Sequence, residues 1–128
     1  FLSVSAFAAT FTVTKTADTN DGTCDADCSL REAIAAANAA SGDDIIDFSS
    51  LFDSQQTITL SGTELVLEAN GSITIDGPGA GLLTISGNNA SRILVTGPNV
   101  VATIDGITFT AGNGVGALNN GRGGAIYN

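Results

Sequence analysis

The sequence predicts an all-β protein, a parallel β-helix of about three coils, and three observations carry the prediction. The first is a phrase that returns. Thr74-Ile75-Asp76-Gly77 comes back as Thr84-Ile85-Ser86-Gly87 and again as Thr103-Ile104-Asp105-Gly106. Offsets of roughly 10 and 19 residues, together about 29, suit a coil with three faces and one strand on each. The second is a run of short strand-like segments, their centres about 7 to 10 residues apart, with Gly, Asn, Asp, Pro and Ser filling the gaps. An antiparallel sandwich would show the same rhythm. The third observation separates the two: a meander needs tight two-residue turns, yet Asn-Gly pairs are few, at Asn70-Gly71, Asn113-Gly114 and Asn120-Gly121.

The elements follow in order. Phe1 to Ala8 reads as the tail of a secretory signal peptide. Leu2 and Val4 suit the end of its apolar core, and Ala6-Phe7-Ala8 supplies the small-x-small pattern before a cleavage point. A first strand over Phe1–Ala9 is the alternative. Thr10-Phe11-Thr12-Val13-Thr14 alternates strictly, which places Phe11 and Val13 on one face. An acidic, turn-rich loop, Asp18 to Gly22, comes next. The period then changes. Ser29-Leu30-Arg31-Glu32 forms a capping box, with Ser29 accepting from the Glu32 amide and Glu32 reaching back to the Ser29 amide. Leu30, Ala33, Ile34 and Ala37 follow at helical spacing until Asn38 to Gly42 end the helix. Strands are expected around Ile46, Ile58, Val66, Ile75, Ile85, Leu94, Thr103, Thr108 and Ile126. The domain organisation predicted is a signal-peptide remnant over 1–8, an N-terminal strand-plus-helix cap over 9–56, and β-helix coils over 57–128.

Composition narrows the partners. Among 128 residues only 13% are charged, with 16 Gly, no His and a net charge of −9. Nucleic-acid binding needs clustered Lys and Arg to neutralise phosphates, and the four basic residues, Lys15, Arg31, Arg92 and Arg122, are scattered. No apolar run reaches the roughly 20 residues of a membrane span. Cys24 and Cys28 enclose Asp25-Ala26-Asp27, and an oxidising compartment would let them pair. Free thiols or metal ligands are the alternatives, although no His or third Cys completes a zinc site.

At Cys28-Ser29-Leu30-Arg31-Glu32-Ala33 the chain resembles the CSLREA domain, named for that hexapeptide. Ile34-Ala35-Ala36-Ala37-Asn38 and the Ile73–Gly77 segment fit the same family. Gly123-Gly124-Ala125-Ile126-Tyr127-Asn128 is similar to a phrase common in the coils of bacterial surface proteins. The resemblance covers roughly Thr10 to Asn128. It implies a right-handed parallel β-helix, secretion by bacteria, and a capping role for the N-terminal strand and helix. It implies no catalytic residues. In that reading Leu30 and Ile34 plug the open end of the coil, each worth about 1.5–3 kcal/mol when fully buried. With only about three coils, near the minimum for repeat stability, the chain is expected to be marginal and to associate through its C-terminal edge.

Candidate chemistry is sparse. Asp76 and Asp105 hold matching places in two repeats, so a carboxylate pair on one outer face is conceivable. Such a pair serves as acid and base on a glycosidic bond, or as Ca²⁺ ligands. An Asp-Gly bend that caps its own backbone explains the same residues. A lyase base would have to be Arg92 or Arg122, and nucleophile schemes that need His fail because there is none. Asp18, Asn20, Asp21, Asp25 and Asp27 crowd oxygen ligands that Ca²⁺ could use. Their spacing is not that of an EF-hand, and a solvated acidic loop clipped by the cysteines is the competing account. The Gly-rich stretch Ala111–Gly124 lacks the Lys-Ser/Thr of a phosphate loop and reads as a projecting loop. The function expected is a secreted, extracellular or bacterial cell-surface module, structural or adhesin-like, without catalysis in this stretch. Its partner would be an extracellular carbohydrate or a host or cell-surface ligand. The alternative is the N-terminal part of a polysaccharide lyase or glycoside hydrolase whose active site lies further along.

Overall fold

A computed structural model describes residues 7–68, 71–117 and 121–128. Phe1–Ala6 of the expected signal-peptide remnant and residues 118–120 of the Gly-rich stretch lie outside the described residues. The chain begins with β1 (Thr10–Val13) and the helix α1 (Leu30–Ala39), then β2 (Asp44–Phe48) and a 3-10 turn at Ser50–Asp53. There follow β3 (Gln56–Thr59), β4 (Leu65–Leu67), β5 (Ser72–Asp76), β6 (Leu83–Ser86) and β7 (Leu94–Thr96). The last strands are β8 (Val101–Asp105), β9 (Thr108–Thr110) and β10 (Ile126–Tyr127).

The strands make three sheets, ordered β1-β2-β5-β8, β10-β7-β4 and β3-β6-β9. Every pairing among the described residues is parallel, which disposes of the antiparallel sandwich. The period-2 pattern explains each strand locally. In β5, Ile73 and Ile75 are buried while Asp76 stays exposed, and β6 repeats this with Leu83 and Ile85. Their inner faces, with Val13, Ile46, Ile58, Leu65, Leu67 and Leu94, share one apolar cluster. Burial of that kind contributes about 25 cal/mol per Å² of apolar surface.

The expected fold class needs correction. A right-handed parallel β-helix of three coils is not what the structure shows; it shows three short parallel sheets, mostly strand, with one helix packed on them. A regular coil requires a constant interval between stacked strands, and this chain lacks one. Ile45 lies beside Thr74 and Thr74 beside Thr103, a 29-residue step each time. Elsewhere the step ranges from 35 residues between Thr10 and Ile45 to 24 between Thr84 and Thr108. The long step arises because α1 and the cysteine loop are interposed between β1 and β2. The recurring phrase also misled as to walls. Its first and third copies pair with each other, in β5 and β8, whereas the second copy lies in a different sheet, in β6.

Two glycines of that phrase have a steric role. Gly106 has φ +65, and a Cβ built on it would run into the carbonyl of Gly77. A Cβ on Gly77 would in turn stand 2.5 Å from the Gly106 oxygen. The two Asp-Gly bends therefore press backbone on backbone, which only glycine allows.

Helix α1 packs against β1, β2 and β4. Leu30, Ala33, Ile34 and Ala37 form its buried stripe, at the i, i+3, i+4, i+7 spacing of an amphipathic helix. Leu30 and Ile34 are 2% and 3% exposed and belong to the common core.

Candidate functional site

The acidic loop between β1 and α1 is organised by one carboxylate. Ser29 caps α1, its Oγ accepting from the Glu32 amide at 3.1 Å. Glu32 Oε2 accepts from the Ser29 amide at 2.7 Å, completing the capping box. Oε1 of the same side chain accepts from the Asp21 amide at 3.0 Å, and Lys15 Nζ lies 3.6 Å from Oε2. Ser29 Oγ also donates to the Thr19 carbonyl at 2.6 Å. The cap thus ties the loop down as well as starting the helix. Burial pushes the Glu32 carboxyl up, but the amides of Ser29 and Asp21 and the Lys15 ammonium outweigh it and hold it below the usual carboxylate range.

The five oxygen ligands proposed for Ca²⁺ have separate employments. Asp18 is held by Arg31 in a two-pronged pair, Oδ1 to Nε at 2.8 Å and Oδ2 to a terminal nitrogen at 2.9 Å. Asp18 Oδ2 also accepts from the amide and hydroxyl of Ser61, at 2.8 and 2.9 Å. Burial raises the Asp18 carboxyl, and the Arg31 guanidinium with Ser61 more than reverses that, leaving it lowered. Asn20 accepts from the Gly22 amide, Asp21 from that of Thr23 and Asp25 from that of Asp27. These are side chains folded onto their own backbone two residues on. Asp27 meets Lys15 Nζ at 3.1 Å. Among the described residues no group of three or more His, Cys, Asp or Glu is placed to hold a metal ion.

Cys24 and Cys28 form a disulfide, which fixes the loop beside the helix cap. The chain enclosed is short, so the bond restricts the unfolded state modestly. Cys24→Ser is expected to lower unfolding free energy by about 2 kcal/mol, to be read from urea denaturation of the two proteins under non-reducing conditions. A loss equal to that from adding reductant to the parent chain would show that the crosslink, and not the serine, is responsible.

A second polar centre, which the sequence reading missed, lies at Glu64 and Arg92. Arg92 is fully buried and Glu64 is 7% exposed, and they meet at 2.8 Å. Arg92 Nε donates to the carbonyls of Arg122 and Gly123, at 3.0 and 3.1 Å, and a terminal nitrogen reaches that of Gly114 at 3.3 Å. The guanidinium also lies over the Tyr127 ring, 5.0 Å from its centre. The other Glu64 oxygen, Oε1, accepts from the Ala117 amide at 2.8 Å. The pair therefore fastens the Gly-rich segment to the body of the protein from both ends. Gly116 is required for this, because a Cβ there would fall on the Glu64 carboxylate. An open cleft of about 390 Å³ runs beside the pair, bounded by Thr63, Val66, Ser91 and Val115. A visible signal existed: each charge stands at or near the start of an apolar strand, Glu64 before Leu65-Val66-Leu67 and Arg92 before Ile93-Leu94-Val95.

Asp76 and Asp105 are indeed brought together, as directly paired residues of β5 and β8. Both are exposed, and Asp105 Oδ1 accepts from the Gly106 amide at 2.7 Å, the self-capping bend. Arg92, one of the two bases open to a lyase scheme, is committed to Glu64 in the interior.

No family model matches the chain, and neither a curated protein nor a solved structure matches it. Among the described residues no helix is long and apolar enough to cross a membrane.

Proposed function

We propose that the chain is part of a secreted or cell-surface protein of the kind its CSLREA-like hexapeptide suggests. It works as a structural, adhesin-like module that presents sheet faces and loops to an extracellular carbohydrate or cell-surface ligand. The observation that carries the reading is the Cys24–Cys28 crosslink, a bond kept in oxidising compartments and rare in reducing ones. The fastened Gly-rich segment supports it too, since loops held on a rigid scaffold are common binding surfaces.

The pairing of exposed Asp76 with Asp105 favours one competing reading, the N-terminal part of a polysaccharide lyase or glycoside hydrolase. A screen of acidic and neutral polysaccharides, with and without millimolar Ca²⁺, separates the two. The module reading expects retention on a polysaccharide or cell-surface column with no release of reducing or unsaturated ends. Turnover that disappears in Asp76→Asn would replace it with the enzyme reading. Alkylation of both cysteines in protein isolated from its native host without reductant would remove the argument for secretion.

A further inference from the structure

We propose that the outer face of the β3-β6-β9 sheet is an ice-binding plane whose partner is the surface of crystalline water. The inference rests on the register of this sheet and is independent of the surface-display reading. Thr57 lies beside Thr84 and Thr84 beside Thr108, while Thr59 lies beside Ser86 and Ser86 beside Thr110. The residues between them, Ile58 and Ile85, are buried, and Phe109 packs against the core. Six hydroxyls therefore stand on one face in two parallel ranks. Strand geometry sets neighbours about 4.8 Å apart within a rank and the ranks about 6.6 Å from each other. The shorter oxygen repeat on the faces of hexagonal ice is close to the first of these spacings, and the longer one is somewhat greater than the second.

The chemistry of the face points to the same partner. No Asp, Glu, Lys or Arg stands in either rank, in a chain whose net charge is −9. The surface it complements is thus neutral. Thr108 donates to the Ala80 carbonyl and Ser86 accepts from the Asn88 amide. Thr57, Thr59, Thr84 and Thr110 keep their donors and acceptors for the solvent side among the described residues. Each threonine sets a methyl beside its hydroxyl, so it can hydrogen-bond a lattice oxygen while shedding disordered water. A sugar ring would want an exposed aromatic to stack on, and the one aromatic of these strands, Phe109, faces the core. The β1-β2-β5-β8 face is a natural contrast. Its columns run Thr10, Ile45, Thr74, Thr103 and Thr12, Asp47, with Asp76 beside Asp105, so the hydroxyls are interrupted by an apolar side chain and by carboxylates.

The test is inhibition of ice recrystallisation, with crystal shape followed under slow cooling. The purified chain is expected to arrest grain growth and to facet crystals where an equal concentration of serum albumin does neither. Thr84→Lys, at the centre of a rank, is expected to raise the concentration needed by roughly tenfold or more, about 1.4 kcal/mol of binding, with an unchanged circular dichroism spectrum. Thr59→Lys supplies the same reading should Thr84→Lys fold poorly. Thr74→Lys, on the contrasting face, is expected to have no effect. The proposal is overturned if the parent chain behaves like albumin, if Thr74→Lys is as damaging as Thr84→Lys, or if the ranks instead bind an insoluble polysaccharide and leave ice growth unaltered.

Discussion

Arg92→Ala is expected to cost about 3–5 kcal/mol, because breaking a buried ion pair leaves its partner charged and uncompensated. Among the described residues the Glu64 carboxylate would keep only the Ala117 amide. The carbonyls of Arg122 and Gly123 would lose their guanidinium donor at the same stroke, while that of Gly114 would keep the Gly121 amide. Stability of the whole domain is on the order of 5–15 kcal/mol, so the loss is expected to be a large fraction of it and to show as a much lower urea midpoint. Glu64→Gln tests the same centre more gently. The amide has one oxygen where the carboxylate has two, so it accepts from Ala117 or from Arg92 in their present places but not from both, while the guanidinium keeps its backbone partners and the Tyr127 face. Its cost is expected to be about 2 kcal/mol. Urea denaturation, with proteolysis within the Gly-rich segment as a second readout, checks both the sizes and their order. An Arg92→Ala loss below about 1 kcal/mol, the ordinary range for a point mutation, would mean that water reaches the pair and the segment is not fastened by it.

The contrast between these residues and the helix shows what a sequence makes legible. Ser29, Glu32, Leu30 and Ile34 could be read directly, because a capping box and a 3.6-residue stripe are local patterns whose partners lie within a turn or two. The strands were readable for a similar reason, since alternation is a property of four or five consecutive residues. How the strands stack is another matter. The interval between β1 and β2 depends on how much chain α1 and the cysteine loop absorb, and nothing in Thr10–Val13 records that. The pairing of Glu64 with Arg92 spans 28 residues, and the tie between Asp18 and Ser61 spans 43. Neither could be deduced before the sheets were placed. The oxygens of the acidic loop are dispersed among separate partners for a related reason. Side chains such as Asn20, Asp21 and Asp25 found nearer partners in their own backbone, which short polar side chains do readily in turns.

Glu32 is where the legible and the hidden meet, and Glu32→Ala is expected to be the second most damaging change. A helix N-cap alone is worth about 1 kcal/mol. This carboxylate additionally satisfies the Asp21 amide and faces Lys15, and each amide left without a partner in a buried setting adds about 1–3 kcal/mol. The total expected is about 3 kcal/mol, seen as a lower urea midpoint with an unchanged slope. Ser29→Ala, which removes one accepting oxygen and the bond to Thr19, should cost less. The same carboxylate makes a prediction about pH. Glu32 and Asp18 are both held below their ordinary values of 4.5 and 3.8, so the folded state binds their protons less readily than the unfolded state does. Their contribution is therefore complete above about pH 5 and is lost as the pH falls through the ordinary carboxylate range and on to the lowered folded values. The melting temperature of the parent chain should accordingly fall on acidification below pH 4.5. In Glu32→Ala that fall should be shallower, because one of the two depressed carboxyls is gone. Parallel melting curves from pH 7 to pH 3, with equal slopes for the parent and the variant, would show that Glu32 does not carry the acid sensitivity.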